Sequence, residues 1–218
     1  DADLGVALRR LAKAGFYHAG QVCVSVQRVY VHRSIARQVA EGLAELGNNM
    51  RIGDPTSADT DVGPLIRPAE VERVHEWVED AIRQGAEKIS GGHKVSDTCY
   101  ATTVLLDAPD DAIISCNEVF GPVILVYSYD DMDDALTRAN ALPVAFQAAI
   151  YTSNLDKAMR AYRRFDASAV MVNDHTAFRV DWMPFAGLRE SGHGVGGIPH
   201  TFRDMQIEKM LVIRSPEL

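Results

Sequence analysis

The chain has 218 residues, 47% of them hydrophobic and 24% charged, a balance that suits a soluble globular protein large enough to bury a substantial core. Its formal net charge of -8 argues against nucleic acid or an anionic membrane as the main partner. No apolar run approaches the roughly 20 residues of a membrane-crossing helix, and the opening residues lack the basic and apolar parts of a secretory leader.

Apolar spacing alternates between helical and strand periods along the chain. Leu4, Ala7, Leu8 and Leu11 predict an amphipathic helix. A chain that opens at Asp1, without an initiator methionine and already in a helix-like pattern, is expected to belong to a longer polypeptide; terminal processing would give the same appearance. Val24 to His32 is a β-rich run. Ser34 can cap a helix with Ile35, Val39, Leu43 and Leu46 on one side, closing at Gly47. A turn-rich loop, Gly53 to Ile66, leads to Pro68, which suits the first turn of a helix carrying Val71, Val74, Val78 and Ile82. The polar side of that helix, with Glu72, Arg73, Glu76, Glu79 and Arg83, reads as a solvated surface. Short strands are expected at Thr103–Leu106 and Val123–Tyr127, then a helix over about 131–140, a strand at 147–151, a helix over about 155–165 and a strand at 169–172. Strands alternating with helices predict an α/β fold, a three-layer αβα arrangement with a largely parallel sheet covered on both faces. Gln206 to Arg214 reads as a last strand set apart by a glycine-rich loop, and such a strand can cross to a neighbouring subunit.

Three segments carry candidate chemistry. Cys23, in Gly20-Gln21-Val22-Cys23-Val24-Ser25, stands at the turn between the first helix and the first strand. A thiol there can meet a substrate as a thiolate nucleophile; taken by itself it reads first as a small buried hydrophobe. Asn117-Glu118-Val119-Phe120-Gly121-Pro122 lies directly before a strand. Its carboxylate can hold paired ribose hydroxyls while the ring packs on a flat cofactor, although a strand-entry turn with a capping glutamate has the same composition. Pro184-Phe185-Ala186-Gly187 through Ser191-Gly192-His193-Gly194 is a loop whose glycines allow close backbone approach to a ligand. It is no phosphate-binding loop, since no lysine follows the glycines, and no dinucleotide fingerprint follows an early strand. His193 within this loop and His200 beyond it show no metal-ligand spacing, so no metal site is expected. Cys23, Cys99 and Cys116 cannot all pair and form no Cys-x-x-Cys, which fits a reducing cytoplasm; Cys99 and Cys116 read as packing residues.

In this order the segments resemble the aldehyde dehydrogenase superfamily over practically the whole chain. Gly53-Asp54-Pro55 and Asp61-Val62-Gly63-Pro64-Leu65-Ile66 are similar to the loop after the family's next helix. The resemblance implies NAD(P)-dependent oxidation of a small aldehyde. Cys23 would attack the carbonyl carbon, hydride would leave to the nicotinamide, and water would release the acid from a thioester. Glu118 would hold the nicotinamide ribose and Phe120 would pack beside it. Phe185, Val22 and Val24 would line the substrate channel.

Members are about twice as long, and their first half carries the dinucleotide-binding domain, the oxyanion asparagine and the general base. The resemblance therefore implies a catalytic domain over residues 1–205 and an assembly strand over 206–218, with little turnover by these residues alone and a homodimer or homotetramer at full length. Ala186 departs from the usual Pro-Phe-Gly-Gly, Val195-Gly196 from Arg-Glu, and Val144-Ala145-Phe146 from Tyr-Gly-Leu. His175-Thr176-Ala177-Phe178-Arg179-Val180-Asp181-Trp182 resembles the branch containing phosphonoacetaldehyde and lactaldehyde dehydrogenases. Arg179 can grip an anionic group on the substrate, or pair with Asp174 or Asp181 to order the loop. A different class of reading is an assembly module without catalysis, which the terminal strand motivates and the retained Cys23, Glu118 and Phe120 oppose.

Overall fold

The computed structural model describes residues 1–217. Helix α1 (Leu4–Phe16) starts at Asp3, whose carboxylate accepts the Val6 amide at 3.0 Å and so satisfies a donor that the first turn leaves free. A tight turn, Tyr17–Gly20, leads towards strand β1 (Arg28–His32) and helix α2 (Arg33–Asn48). The strand is shorter than the β-rich run Val24 to His32, because residues 22–27 turn back on α1 and the Val26 amide bonds the Ala14 carbonyl at 3.3 Å. The cap of α2 is His32, whose Nδ1 accepts the Ser34 amide, rather than Ser34 itself.

Helix α3 (Pro68–Arg83) begins at its proline, as expected, and buries Val71, Val74, Val78 and Ala81. Strands β2 (Glu87–Ser90), β3 (Thr103–Leu106) and β4 (Val123–Tyr129) follow, with a one-turn helix α4 (Ile113–Cys116) before β4. The main sheet has the order β1-β4-β3-β2; β4 pairs parallel with both β1 and β3, and the edge strand β2 pairs antiparallel with β3. Consecutive residues of β3, and of β4 from Val123 to Ser128, are all buried. Neighbouring side chains on a strand point to opposite faces, so both faces of these strands are covered. This is the expected layered α/β arrangement.

The core joins α1, α2 and α3 to the sheet through Phe16, Leu43, Val71, Val74, Leu105, Ile124 and Leu125, each at most 1% exposed. Each such side chain contributes about 1.5–3 kcal/mol relative to leaving it in water. Tyr127 is accommodated there because its hydroxyl bonds Ser115 Oγ at 2.7 Å.

The later strands do not extend this sheet. After helix α5 (Met132–Ala139), strand β5 (Val144–Ala145) pairs antiparallel with β8 (Leu188–Arg189), and β6 (Gln147–Ile150) pairs parallel with β7 (Ala169–Val172), with helix α6 (Leu155–Arg164) connecting the latter two. Periodicity reports that a segment is extended but not which strands it joins, so the single sheet expected from it becomes one main sheet and two small ones. The glycine-rich loop ends in an unexpected helix α7 (Ile198–Asp204). Residues 206–214 form no strand within the chain, because a strand needs a hydrogen-bonding neighbour and none of the described strands reaches them. Leu218, the end of the expected assembly segment, lies outside the described residues. No helix among the described residues is long and apolar enough to cross a membrane.

Candidate active site

Cys23 occupies a turn closed by the Ser25 amide on the Val22 carbonyl at 2.9 Å, with Cys23 and Val24 at its centre. The thiol residue is exposed and unpaired, not the buried hydrophobe of the alternative reading, and Val22 and Val24 flank it half-buried. Gln21 fastens the entry to this turn. Its amide nitrogen bonds the Pro64 carbonyl at 3.1 Å and its oxygen accepts the Ile66 amide at 2.9 Å. The turn therefore rests on the Gly63–Ile66 loop that the sequence placed far away.

The backbone leading to the thiol is strained. His18, Ala19 and Gly20 have φ of 51°, 54° and 71° in succession, and left-handed conformations cost a non-glycine residue about 1–2 kcal/mol. Close contact explains why the third must be glycine: a Cβ on Gly20 would lie 2.0 Å from the Gly121 carbonyl oxygen. That contact puts the cysteine-bearing segment directly against the Glu118–Pro122 loop.

The same loop is fastened from two other sides. Gln27 accepts the Val119 amide at 2.9 Å and donates to the carbonyls of Asn117 at 2.8 Å and Ile114 at 3.2 Å. Arg73 of α3 donates to the Val119 carbonyl at 2.7 Å and lies 4.5 Å over the Trp77 ring. Val119 is buried, and its neighbours Glu118 and Phe120 are both exposed. Partial desolvation by surrounding protein pushes the Glu118 carboxyl above the ordinary glutamate range, while nearby Arg73 pulls it back. Phe120 is held at φ 48°, a conformation rarely tolerated by an aromatic residue, with 42% of its surface open. Strained residues of this kind concentrate at ligand clamps. An exposed ring and an exposed carboxylate on one loop beside the thiol turn can hold a flat ring and a pair of hydroxyls.

Arg73 and Gln27 are the residues sequence reasoning missed. Arg73 sits on the polar side of α3 and read as solvated, but its long stem crosses to the loop, a contact that helical spacing does not encode. Gln27 had a faint signal, a polar side chain amid the apolar run from Val24 to Val31.

Phe185 and Arg179 form a second group. Phe185 meets the Phe146 ring edge-on at 4.8 Å between centroids, and the Arg179 guanidinium lies 4.4 Å from the Phe185 centroid. Asp174 does not hold Arg179; it pairs with Arg10 of α1. Arg179 also lines, with Asp181, Ile198 and Phe202 among others, a surface depression of about 340 Å³. The group is joined to the thiol turn by Thr176, whose hydroxyl donates to the Val24 carbonyl at 2.6 Å. Cys99 is buried, and Cys116 lies half-buried with its thiol 3.2 Å from the Asp110 carbonyl.

Comparison with known proteins decides the family. The aldehyde dehydrogenase family model matches residues 1–211. The chain belongs to that family. It is 38% identical to a 3-sulfolactaldehyde dehydrogenase of Priestia aryabhattai over 213 residues, covering 98% of this chain and 44% of that enzyme. The crystal structure of aldehyde dehydrogenase 21 from Physcomitrella patens in complex with its reaction product succinate superposes with a TM-score of 0.92 at 34% identity, covering 97% of this chain and 44% of that one. A glyceraldehyde-3-phosphate dehydrogenase from Methanocaldococcus jannaschii complexed with NADP gives 0.90 at 33% identity, covering 94% and 44%. This aldehyde dehydrogenase chain thus spans somewhat under half the length of the relatives it matches.

Proposed function

We propose that the full-length protein oxidises a small, anionic aldehyde to its carboxylic acid with NAD or NADP, using Cys23 as nucleophile. The observation that carries this reading is the exposed thiol turn built against the loop of Glu118 and Phe120. As thiolate, Cys23 adds to the aldehyde carbon, and the resulting oxyanion needs hydrogen-bond donors in place before the reaction. The nicotinamide, when bound, supplies the hydride acceptor. Glu118 accepts hydrogen bonds from the ribose hydroxyls, Phe120 presents its ring beside them, and Val22, Val24 and Phe185 shape the channel to the thiol. Water then releases the acid from the thioester on Cys23. A reducing cytoplasm suits a protein that depends on a free thiol. Alanine at Glu118 should weaken cofactor binding about tenfold or more, since hydrogen bonds to a charged group contribute roughly 1.5–3 kcal/mol. A cofactor titration that leaves the dissociation constant unmoved would remove Glu118 from the site.

The anionic preference rests on Arg179, whose guanidinium lies on an aromatic ring rather than against Asp174. The three relatives described above carry, in the aldehyde or acid they are named with, a sulfonate, a carboxylate or a phosphate. The full-length protein should therefore turn over an aldehyde bearing one of these groups with a higher kcat/KM than a neutral aldehyde of equal size. Arg179→Ala should reduce that preference about tenfold or more, by the same charge-assisted bond energies. An unchanged ratio of the two specificity constants rejects the anionic assignment.

Residues 206–213 expose Ile207, Met210, Leu211, Val212 and Ile213, at 63% to 95% of their surfaces. An apolar tail of this kind is suited to cover by a second copy, in a homodimer or homotetramer. Substituting aspartate at both Ile207 and Leu211 should shift the full-length protein to smaller species in sedimentation velocity; an unaltered distribution argues that the tail is not the assembly element.

A further inference from the structure

We propose that Thr176 is a positioning residue for the Cys23 thiol, an inference that rests on the reading of Cys23 as nucleophile. An exposed side chain has little packing to direct it, so the direction of the Cys23 Cα–Cβ bond is set by its backbone turn. Backbone hydrogen bonding closes that turn through one bond, Ser25 to Val22. Gln21 holds the chain entering it. On the exit side the Val24 carbonyl receives the Thr176 hydroxyl at 2.6 Å, and Thr176 is its one donor among the described residues. Rotation of the turn is thereby opposed from either end.

Thr176 is a firm anchor for three reasons. Its branched side chain has few rotamers to choose from. Asn173, three residues earlier, bonds both the amide and the carbonyl of Thr152, each at 2.9 Å. Between them Asp174 pairs with Arg10 and accepts the His175 amide at 2.8 Å. The anchor runs from α1 through Asp174 to the carbonyl of Val24, the residue after the nucleophile, joining residues 152 positions apart. Sub-ångström placement of a reacting atom is what such a strut controls: a displacement of about 1 Å can cost around a hundredfold in rate.

The test uses the full-length protein. Thr176→Val keeps the shape and removes the donor, whereas Thr176→Ser keeps the donor. The single-turnover rate of NAD(P)H formation should fall about tenfold or more in Thr176→Val with cofactor affinity unchanged, and return to within about threefold of the parent in Thr176→Ser. Alkylation of Cys23 by iodoacetamide in the folded protein should change in the same order. If Thr176→Val does not accumulate folded, Thr176→Ala takes its place against Thr176→Ser. A rate in the donor-less variant within about twofold of the parent overturns the proposal. So does an equal loss in the serine variant, which would assign the effect to the methyl group. A parallel Cys23→Ser protein separates the two readings. If it still oxidises aldehyde, the nucleophile assignment is wrong; if it is inert beside an unaffected Thr176→Val, only the positioning role fails.

Discussion

Serine at Cys23 should lower aldehyde-dependent NAD(P)H formation by the full-length protein about a thousandfold or more. A free thiol near neutral pH already holds a few per cent of its population as thiolate, whereas a serine hydroxyl needs a positioned base to become nucleophilic at all. Oxygen is also nearly isosteric with sulfur here, and the side chain is exposed, so the substitution removes little packing. Folding stability should accordingly stay within about 0.5 kcal/mol of the parent, as for other surface changes. The combination matters: a large loss of rate with an unchanged unfolding midpoint assigns Cys23 to chemistry. Activity retained in the serine variant would remove it from the reaction.

Gly20→Ala should have the largest effect on the framework of the site. Its φ of 71° already disfavours any Cβ by about 1–2 kcal/mol. The added carbon would also fall 2.0 Å from the Gly121 carbonyl oxygen, which is backbone and has no rotamer into which to retreat. Either the thiol turn or the Glu118 loop must move. We expect a destabilisation of at least about 2 kcal/mol in denaturant unfolding, together with weakened cofactor binding, because the two candidate halves of the site meet at this contact. An alanine variant with the parent's unfolding midpoint would show that the two segments do not touch as described. By contrast, Gly85 has φ of 111° with nothing within 4 Å of a built Cβ, so alanine there meets the backbone penalty alone. It serves as the control.

Much of the fold was legible because the information is local. The hydrophobic sides of α1, α2 and α3 repeat at helical spacing, Pro68 marks the start of α3, and the apolar runs of β3 and β4 are those of strands covered on both faces. The order of the cysteine, glutamate and late-loop segments was enough to recognise the family, since chemistry in one site constrains short strings of residues. Other features were hidden. Strand β2 begins Glu87-Lys88 and is exposed there, so it lacks the alternating apolar signature. The separation of β6 and β7 from the main sheet depends on pairing, which is decided between distant segments. The Arg179 alternatives could not be separated from spacing either. Both carboxylates considered lie within five residues of it, while the actual partner of Asp174, Arg10, lies 164 residues away.

From residue order alone came the family, the thiol that is the candidate nucleophile, and the motif holding Glu118 and Phe120. Only the folded chain decided that Gly20 rests on Gly121, that Gln27 and Arg73 clamp Val119 between two exposed neighbours, and that Thr176 reaches the carbonyl beside Cys23. The division has one physical cause. Helical and strand periods are properties of neighbouring residues, whereas hydrogen bonds and steric contacts across a site are made between backbone segments that become neighbours only after the core has closed.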